Sequence, residues 1–279
     1  MKRSRRKGIR RVKLNSKKNN HYKNTRNKMK VTAVFPTYNE GKTIGRAIKE
    51  AKKAKLVDDI LVVDGYSTDN TVEESKKAGA RVIHQYKKQY PGKGIAIKTA
   101  RNEAKGDILV FFDADVGNFK AWMLDNLVKP ILDGGYDYTI ANFLGRKGRV
   151  TELVVKPLLK KFFPKVKFNN PLAGEFALKK KILYDIEVPD DWGIETALTI
   201  DVTMKGYKTL EIDFKGKKGH DAKPVEDLII MSKQIINTFI AKIAEYDRAL
   251  KGMEKRKKNK GFPYKSRVKD KNSTEKSKH

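Results

Sequence analysis

The chain has 279 residues, 39% of them hydrophobic and 34% charged, with a formal net charge of +30. Residues 1–30 hold 14 Lys/Arg and no acid, and residues 251–279 hold 12 Lys/Arg against 3 acids, which leaves only +7 on residues 31–250. The expected organisation is one globular α/β domain over 31–250, between disordered basic tails (1–30 and 251–279) that cannot bury enough apolar surface to offset their ordering entropy. The absence of cysteine excludes disulfides, thiolate nucleophiles and cysteine metal sites, and fits a cytoplasmic location. No apolar run approaches the roughly 20 residues of a membrane helix, and no apolar segment follows the basic N-terminus, so no secretory signal is expected.

In chain order, Val31–Phe35 reads as a buried strand ending at Pro36, and Gly41–Ala54 places Ile44, Ala47, Ile48 and Ala51 at helical spacing. Ile60–Val63 is a second strand closed by Asp64-Gly65, with Thr68 and Asp69 placed to cap the next helix. Ala80–Ile83 is a third strand, Gly94–Ala104 a helix, and Ile108–Phe112 a fourth strand that runs into Asp113-Ala114-Asp115. This alternation predicts a mostly parallel sheet flanked by helices, with ligands outside the carboxyl ends of its strands. Further on, Asp137–Phe143, Glu175–Leu178 and Thr209–Phe214 read as strands, and Thr151–Phe162 and Ile194–Met204 as helices. Val225–Leu250 is a long amphipathic helix with Leu228, Met231, Ile235, Ile236, Phe239 and Ile243 on or near one face, a stripe suited to core packing or to a homodimer. Residues 31–116 would form a nucleotide-binding half, and 117–250 an acceptor half with the C-terminal helix.

Polar clusters follow the predicted strand ends. Asp113 and Asp115, one residue apart, can converge on a hard divalent cation, for which Mg²⁺ and Mn²⁺ are the suitable candidates beside phosphates. The loops Pro36-Thr37-Tyr38-Asn39-Glu40 and Asp64-Gly65-Tyr66-Ser67-Thr68-Asp69-Asn70 can grip a nucleobase and ribose, with Glu40 and Asp64 functional and Ser67–Asn70 turning the chain and capping a helix. In Pro91-Gly92-Lys93-Gly94, two glycines allow close backbone approach, and Lys93 can neutralise a phosphate near a helix N-terminus. Neither a Walker A loop nor a G-x-G-x-x-G fingerprint is present, which argues against P-loop and Rossmann dehydrogenase chemistry.

The ordered set P-T-Y-N-E, V-V-D-G-Y-S-T-D-N-T and D-A-D resembles nucleotide-sugar glycosyltransferases of the GT-A fold, and its first two segments are similar to the family 2 pattern. Gly148-Arg149-Val150-Thr151-Glu152-Leu153-Val154-Val155-Lys156-Pro157-Leu158-Leu159, Pro171-Leu172-Ala173-Gly174-Glu175 and Trp192-Gly193-Ile194-Glu195 resemble glucosyl-3-phosphoglycerate synthases, which transfer glucose with retention. The resemblance spans Val31–Asp221. It implies nucleotide contacts by Pro36, Thr37, Tyr38, Glu40, Asp64, Gly65, Lys93 and Asp113, and metal ligation by Asp115 and His220. It places the acceptor at Gly148, Arg149, Val150 and Thr151, and the donor sugar at Leu172, Gly174 and Glu175. Asp115 and Glu195 are the implied catalytic residues, although Glu195 could hold a sugar hydroxyl, act near the reaction centre or simply satisfy a helix start. One departure is His220-Asp221-Ala222, where the family reads H-R-N.

The leading expectation is a metal-dependent transferase moving a hexose from a nucleoside-diphosphate sugar to a small phosphorylated acceptor, 3-phosphoglycerate. The alternative in the same fold is a polyprenyl-phosphate sugar transferase at a membrane surface, where the tails could dock. The alternative of another class is nucleic-acid binding through the tails, which hold few aromatics and no RNA-binding motif.

Overall fold

The structure is a computed structural model that describes residues 29–90, 92–145, 148–215 and 224–247. Pro91, His220, Asp221, Ala222 and nearly all of both basic tails lie outside the described residues. Seven strands form one sheet: β1 (Val31–Thr37), β2 (Asp59–Asp64), β3 (Arg81–His84), β4 (Ile108–Phe111), β5 (Tyr138–Phe143), β6 (Phe176–Lys179) and β7 (Thr209–Phe214). Their order is β3-β2-β1-β4-β6-β5-β7. All neighbouring pairs are parallel except those made by β6, which runs antiparallel to both β4 and β5.

The central strands are buried on both faces, which is why they are written as continuous apolar runs; all four residues of β4 are fully buried. The edges are polar: β3 carries Arg81, paired to Asp59 at 3.1 Å, and β7 alternates Leu210, Ile212 and Phe214 with Glu211 and Asp213. β1 does not end at Pro36 but continues to Thr37. Its pairing with β4 stops at Val34↔Phe111, so the N–H that proline lacks has no ladder position to fill on that side.

The helices are α1 (Ile44–Ala51), α2 (Thr71–Lys77), α3 (Lys93–Glu103), α4 (Ala121–Leu132), α5 (Lys156–Phe162), α6 (Ile182–Asp185), α7 (Ile194–Met204) and α8 (Val225–Glu245). α1 buries the four residues expected from its spacing, Ile44, Ala47, Ile48 and Ala51. α4 was not among the expected elements, although Met123, Leu124, Leu127, Val128 and Ile131 recur at helical spacing and are buried. Residues 151–162 are not one regular α-helix: a π turn (Thr151–Val155) leads into α5. The order of the sheet reverses between β3 and β4, so a right-handed crossover puts α3 on the face opposite α1 and α2. That reversal opens a crevice at the carboxyl ends of β1 and β4.

A second, smaller apolar cluster joins Val155, Leu159 and Phe163 to Ile200 of α7 and to Ile235 and Phe239 of α8. Beside it, Lys242 and Asp201, both buried, pair at 2.7 Å, and the Tyr246 hydroxyl donates to the other Asp201 oxygen at 3.1 Å. α8 ends at Glu245 instead of Leu250. Its stripe splits: Ile235 and Phe239 are buried, Leu228, Met231 and Ile243 are half-buried, and Ile236 is exposed together with Ile229 and Ile240. Among the described residues no helix is long and apolar enough to cross a membrane.

Candidate active site

The loops after β1 and β2 hold each other. Asn39, at a left-handed φ of 55°, accepts the Thr68 N–H at 2.8 Å and donates its own N–H to Ser67 Oγ at 2.8 Å. Asp69 accepts from Gly41 N–H, Thr71 N–H and the Thr71 hydroxyl, so it ties the start of α2 to the β1 loop. Thr68 is not a cap; Asn70 precedes the helix. Ser67 to Asn70 therefore shape the two loops.

Asp64 is fully buried beneath this platform. Its Oδ2 accepts the Tyr66 and Ser67 N–H groups, both at 3.0 Å, and lies 3.1 Å from His84 Nδ1, while its buried Oδ1 has no hydrogen-bond partner among the described residues. The Tyr66 ring stacks on His84. Asp64 does not line the cavity; Gly65 does, along with Pro36, Thr37, Tyr38 and Glu40. Glu40 Oε2 accepts the Thr43 hydroxyl at 3.0 Å.

This cavity, about 230 Å³, sits at the carboxyl end of the sheet and is also lined by Lys93, Asp113, Ala114, Asp115, Leu172, Trp192 and Glu195. A broader hollow near Lys52, Asp58 and Gly79 lies at the opposite, amino edge of β2 and β3 and holds none of the expected site residues. At the cavity's centre, Lys93 Nζ is 2.9 Å from Asp113 Oδ1 and 2.8 Å from Glu195 Oε1. Three segments meet there: the first turn of α3, the end of β4 and the first turn of α7. Burial on its own would pull the Lys93 ammonium down, but the charges of Asp113 and Glu195 outweigh it and hold its pKa above the ordinary lysine value. Burial pushes the Glu195 carboxyl above the ordinary glutamate value, with Lys93 pulling the other way.

Gly174 approaches closely: a Cβ built on it would strike Asp113 Oδ2 and come within 2.6 Å of Lys93 Nζ. Gly94 does the same at the far side of α3, where a Cβ would collide with the backbone carbonyl of Pro189. Gly94 needs glycine because backbone occupies the side-chain space, whereas at Gly174 the space is taken by the tips of the Asp113 and Lys93 side chains. Glu175, next to Gly174, is fully buried and does not line the cavity.

Arg149 and Val150 are not part of this cavity. They line a separate apolar groove with Leu153, Val154, Leu228, Ile229 and Ile236, with Arg149 exposed at its rim and Thr151 buried nearby. Gly148 is half-buried at the start of the same segment. The structure thus gathers the expected nucleotide residues other than Asp64, together with Asp115, Leu172, Gly174 and Glu195, and leaves Asp64 beneath the loops and the expected acceptor segment apart. Sequence reasoning missed Gln85, Gln89 and Tyr90, which also line the cavity, and gave Trp192 no separate role. An aromatic in the loop just before Gly92-Lys93 was the available signal.

Among the described residues no group of three or more His, Asp or Glu is arranged around a metal position. The donor set still fits a hard cation in part. Lys93 engages Asp113, and Asp115 brings a second carboxylate to the same cavity wall.

A mostly parallel sheet whose β6 is reversed, with an Asp-x-Asp at the end of β4, defines a nucleotide-sugar transferase of the GT-A fold. The chain belongs to glycosyl transferase family 2, whose family model matches residues 32–186. It is 30% identical over 236 residues to the glucosyl-3-phosphoglycerate synthase of Mycolicibacterium paratuberculosis, covering 76% of this chain and 72% of that one. Among solved structures it is similar to the Mycobacterium tuberculosis glucosyl-3-phosphoglycerate synthase in complex with Mg²⁺ and uridine diphosphate, with a TM-score of 0.73 at 30% identity over 80% of this chain and 82% of that one. The same enzyme in complex with Mn²⁺, uridine diphosphate glucose and phosphoglyceric acid superposes with a TM-score of 0.72 at 29% identity, over 80% and 82% of the two chains.

Proposed function

We propose that this glycosyltransferase moves glucose, with retention, from a nucleoside-diphosphate sugar to a small phosphorylated acceptor, 3-phosphoglycerate. The observation that carries the reading is the Lys93 ammonium held between Asp113 and Glu195, in the cavity that Asp115 also lines. The relatives' substrates support the same assignment.

In this reading Pro36, Thr37, Tyr38, Glu40 and Gly65 hold the nucleoside, and Asp64 acts from below by fixing the loop that carries Gly65. Lys93 meets the diphosphate, and Asp113 holds Lys93 in place. Leu172 and Gly174 shape the sugar subsite, with Glu175 behind them, and Glu195 accepts a sugar hydroxyl. Asp115 would hold Mg²⁺ or Mn²⁺, with His220 as second ligand. When bound, the cation supplies positive charge to the leaving diphosphate. The bond from the anomeric carbon to the diphosphate breaks, the bond to the acceptor oxygen forms, and the acceptor's hydroxyl proton passes to an oxygen of the departing diphosphate. The absence of cysteine supports a cytoplasmic setting. The exposed Ile229, Ile236 and Ile240 support a homodimer through α8, and the basic tails suit weak contacts with nucleic acid or anionic membrane.

One observation favours polyprenyl phosphate as the acceptor instead: Arg149 stands at the rim of an apolar groove, as a lipid phosphate would require. The Arg149→Lys variant, assayed on both acceptors, tests the choice. An ammonium cannot reproduce the planar guanidinium fork, so the 3-phosphoglycerate KM should rise tenfold or more while nucleotide affinity stays constant. An unchanged KM for 3-phosphoglycerate, with polyprenyl phosphate consumed, would overturn the proposal.

A further inference from the structure

Three aromatic rings cross the mouth of the cavity. Tyr38, from the β1 loop, and Tyr90, from the loop before α3, stack with centroids 4.5 Å apart and planes 30° from parallel. Tyr90 meets Trp192 edge-on at 6.0 Å. Trp192 stands on the turn that leads into α7, three residues before Glu195, so Tyr90 bridges the nucleotide half to the segment that carries Glu195. All three rings line the same cavity.

The stack leaves no room for a further flat group. Aromatic planes pack at about 3.5–4 Å, so a ring inserted between Tyr38 and Tyr90 needs roughly twice that separation. The cavity, at about 230 Å³, is also smaller than the roughly 300–1,000 Å³ typical of small-molecule sites. The Tyr90 ring is 56% exposed and belongs to neither apolar core cluster, so lifting it exposes no core. The root of its loop is anchored: Gln85 is buried, and its Nε2 donates to the Gln89 carbonyl at 3.1 Å. Opposite Tyr38, Gly65 presents only backbone, and a Cβ there would lie 3.6 Å from the Tyr38 ring. The result is a flat platform, a bare wall and an exposed ring above them.

We propose that Tyr90 is a positioning residue of the donor site: its ring lifts off Tyr38, admits the nucleobase of a nucleoside diphosphate between the two rings, and closes on the base's outer face. This rests on the reading of the cavity as the donor nucleotide pocket. Stacking is tolerant of base identity, so Tyr90 governs affinity and placement and does not select the base. Because Tyr90 also touches Trp192, closure over the base reaches the turn before Glu195, and nucleotide binding changes the surroundings of that indole.

The chain has two tryptophans, and Trp122 is half-exposed against Phe214, outside the cavity lining. In a Trp122→Phe background the remaining fluorescence reports Trp192 alone. Affinity for uridine diphosphate with Mg²⁺ is measured by this signal and by calorimetry, with inorganic pyrophosphate as the base-free control. Tyr90→Ala should raise the Kd for uridine diphosphate roughly tenfold or more, abolish the fluorescence change, and leave pyrophosphate affinity and thermal stability unchanged. Tyr90→Phe should restore both affinity and signal. If Tyr90→Ala binds uridine diphosphate as tightly as the parent or more tightly, the ring is only an obstruction and the proposal fails. It fails also if pyrophosphate binding drops equally. If the parent binds neither uridine diphosphate nor any other nucleoside diphosphate, the donor-pocket reading falls first and this proposal with it.

Discussion

Replacing Lys93 by Met removes the charge at the centre of the site while keeping most of the side chain's volume. In the native structure the ammonium lies 2.9 Å from Asp113 and 2.8 Å from Glu195, and all three side chains are at least three-quarters buried. Removing one partner of a buried ion pair costs about 3–5 kcal/mol, because the other partner is left charged and desolvated. Glu195 can relieve part of this by taking up a proton, since its carboxyl is already pushed up by burial, so the lower end of the range is expected. For a domain of this size, about 3–5 kcal/mol corresponds to a fall in Tm of roughly 6–20 °C. Nucleotide binding loses a charge-assisted contact worth about 1.5–3 kcal/mol, a rise in Kd of roughly 10- to 150-fold. Calorimetry with uridine diphosphate, acceptor titration and thermal melts read the three quantities. Acceptor affinity should hardly change, and Lys93→Met with Glu195→Gln should recover part of the stability. A nucleotide Kd within twofold of the parent's would refute the assignment of Lys93 to the diphosphate, whatever happens to Tm.

Four other outcomes follow from the same structure. Gly174→Ala must displace the Asp113 or Lys93 side-chain tip, so kcat/KM should fall about 100-fold with little change in Tm; full activity would mean that the close approach is not used. Lys242→Met strands the buried Asp201 carboxylate and should cost about 3–5 kcal/mol, much of it recovered by adding Asp201→Leu, as denaturant melts would show. Asp115→Ala should abolish metal-stimulated turnover and the thermal shift given by Mn²⁺ with uridine diphosphate, while full parent activity in EDTA would remove the metal from the scheme. The pH profile follows the sign of the Glu195 shift. If ionised Glu195 is required, activity is present above its raised pKa and is lost as pH falls through it, so the acid limb should lie above 4.5 and not at or below it.

The first half of the fold was legible because its central parallel strands, β1 and β4, are apolar runs that each end at a polar cluster. β7 and α7 also have the expected bounds. The reversal of β6 was not legible: nothing in Phe-Ala-Leu-Lys states its direction, which depends on partners 65 to 71 residues away in β4. The candidate site divides in the same way. Lys93, Asp113 and Asp115 could be singled out locally by their places after strand ends. The meeting of Lys93 with Glu195, 102 residues later, and of Tyr90 with Tyr38 and Trp192, is set by sheet order and not by local pattern. Asp64 and Arg149 show the limit most clearly. A motif names a residue type at a position, but whether its side chain turns under a loop or out to a groove is decided by packing.

The most direct measurement incubates the full chain with uridine diphosphate glucose, 3-phosphoglycerate and Mn²⁺, identifies the product by mass spectrometry and reads its anomeric configuration by NMR. The expected product is a glucosylated phosphoglycerate with the donor's anomeric configuration retained, and none should form when EDTA is present. Inversion at the anomeric carbon, or an inert 3-phosphoglycerate alongside glycosylated polyprenyl phosphate in the organic extract, would contradict the proposed transfer.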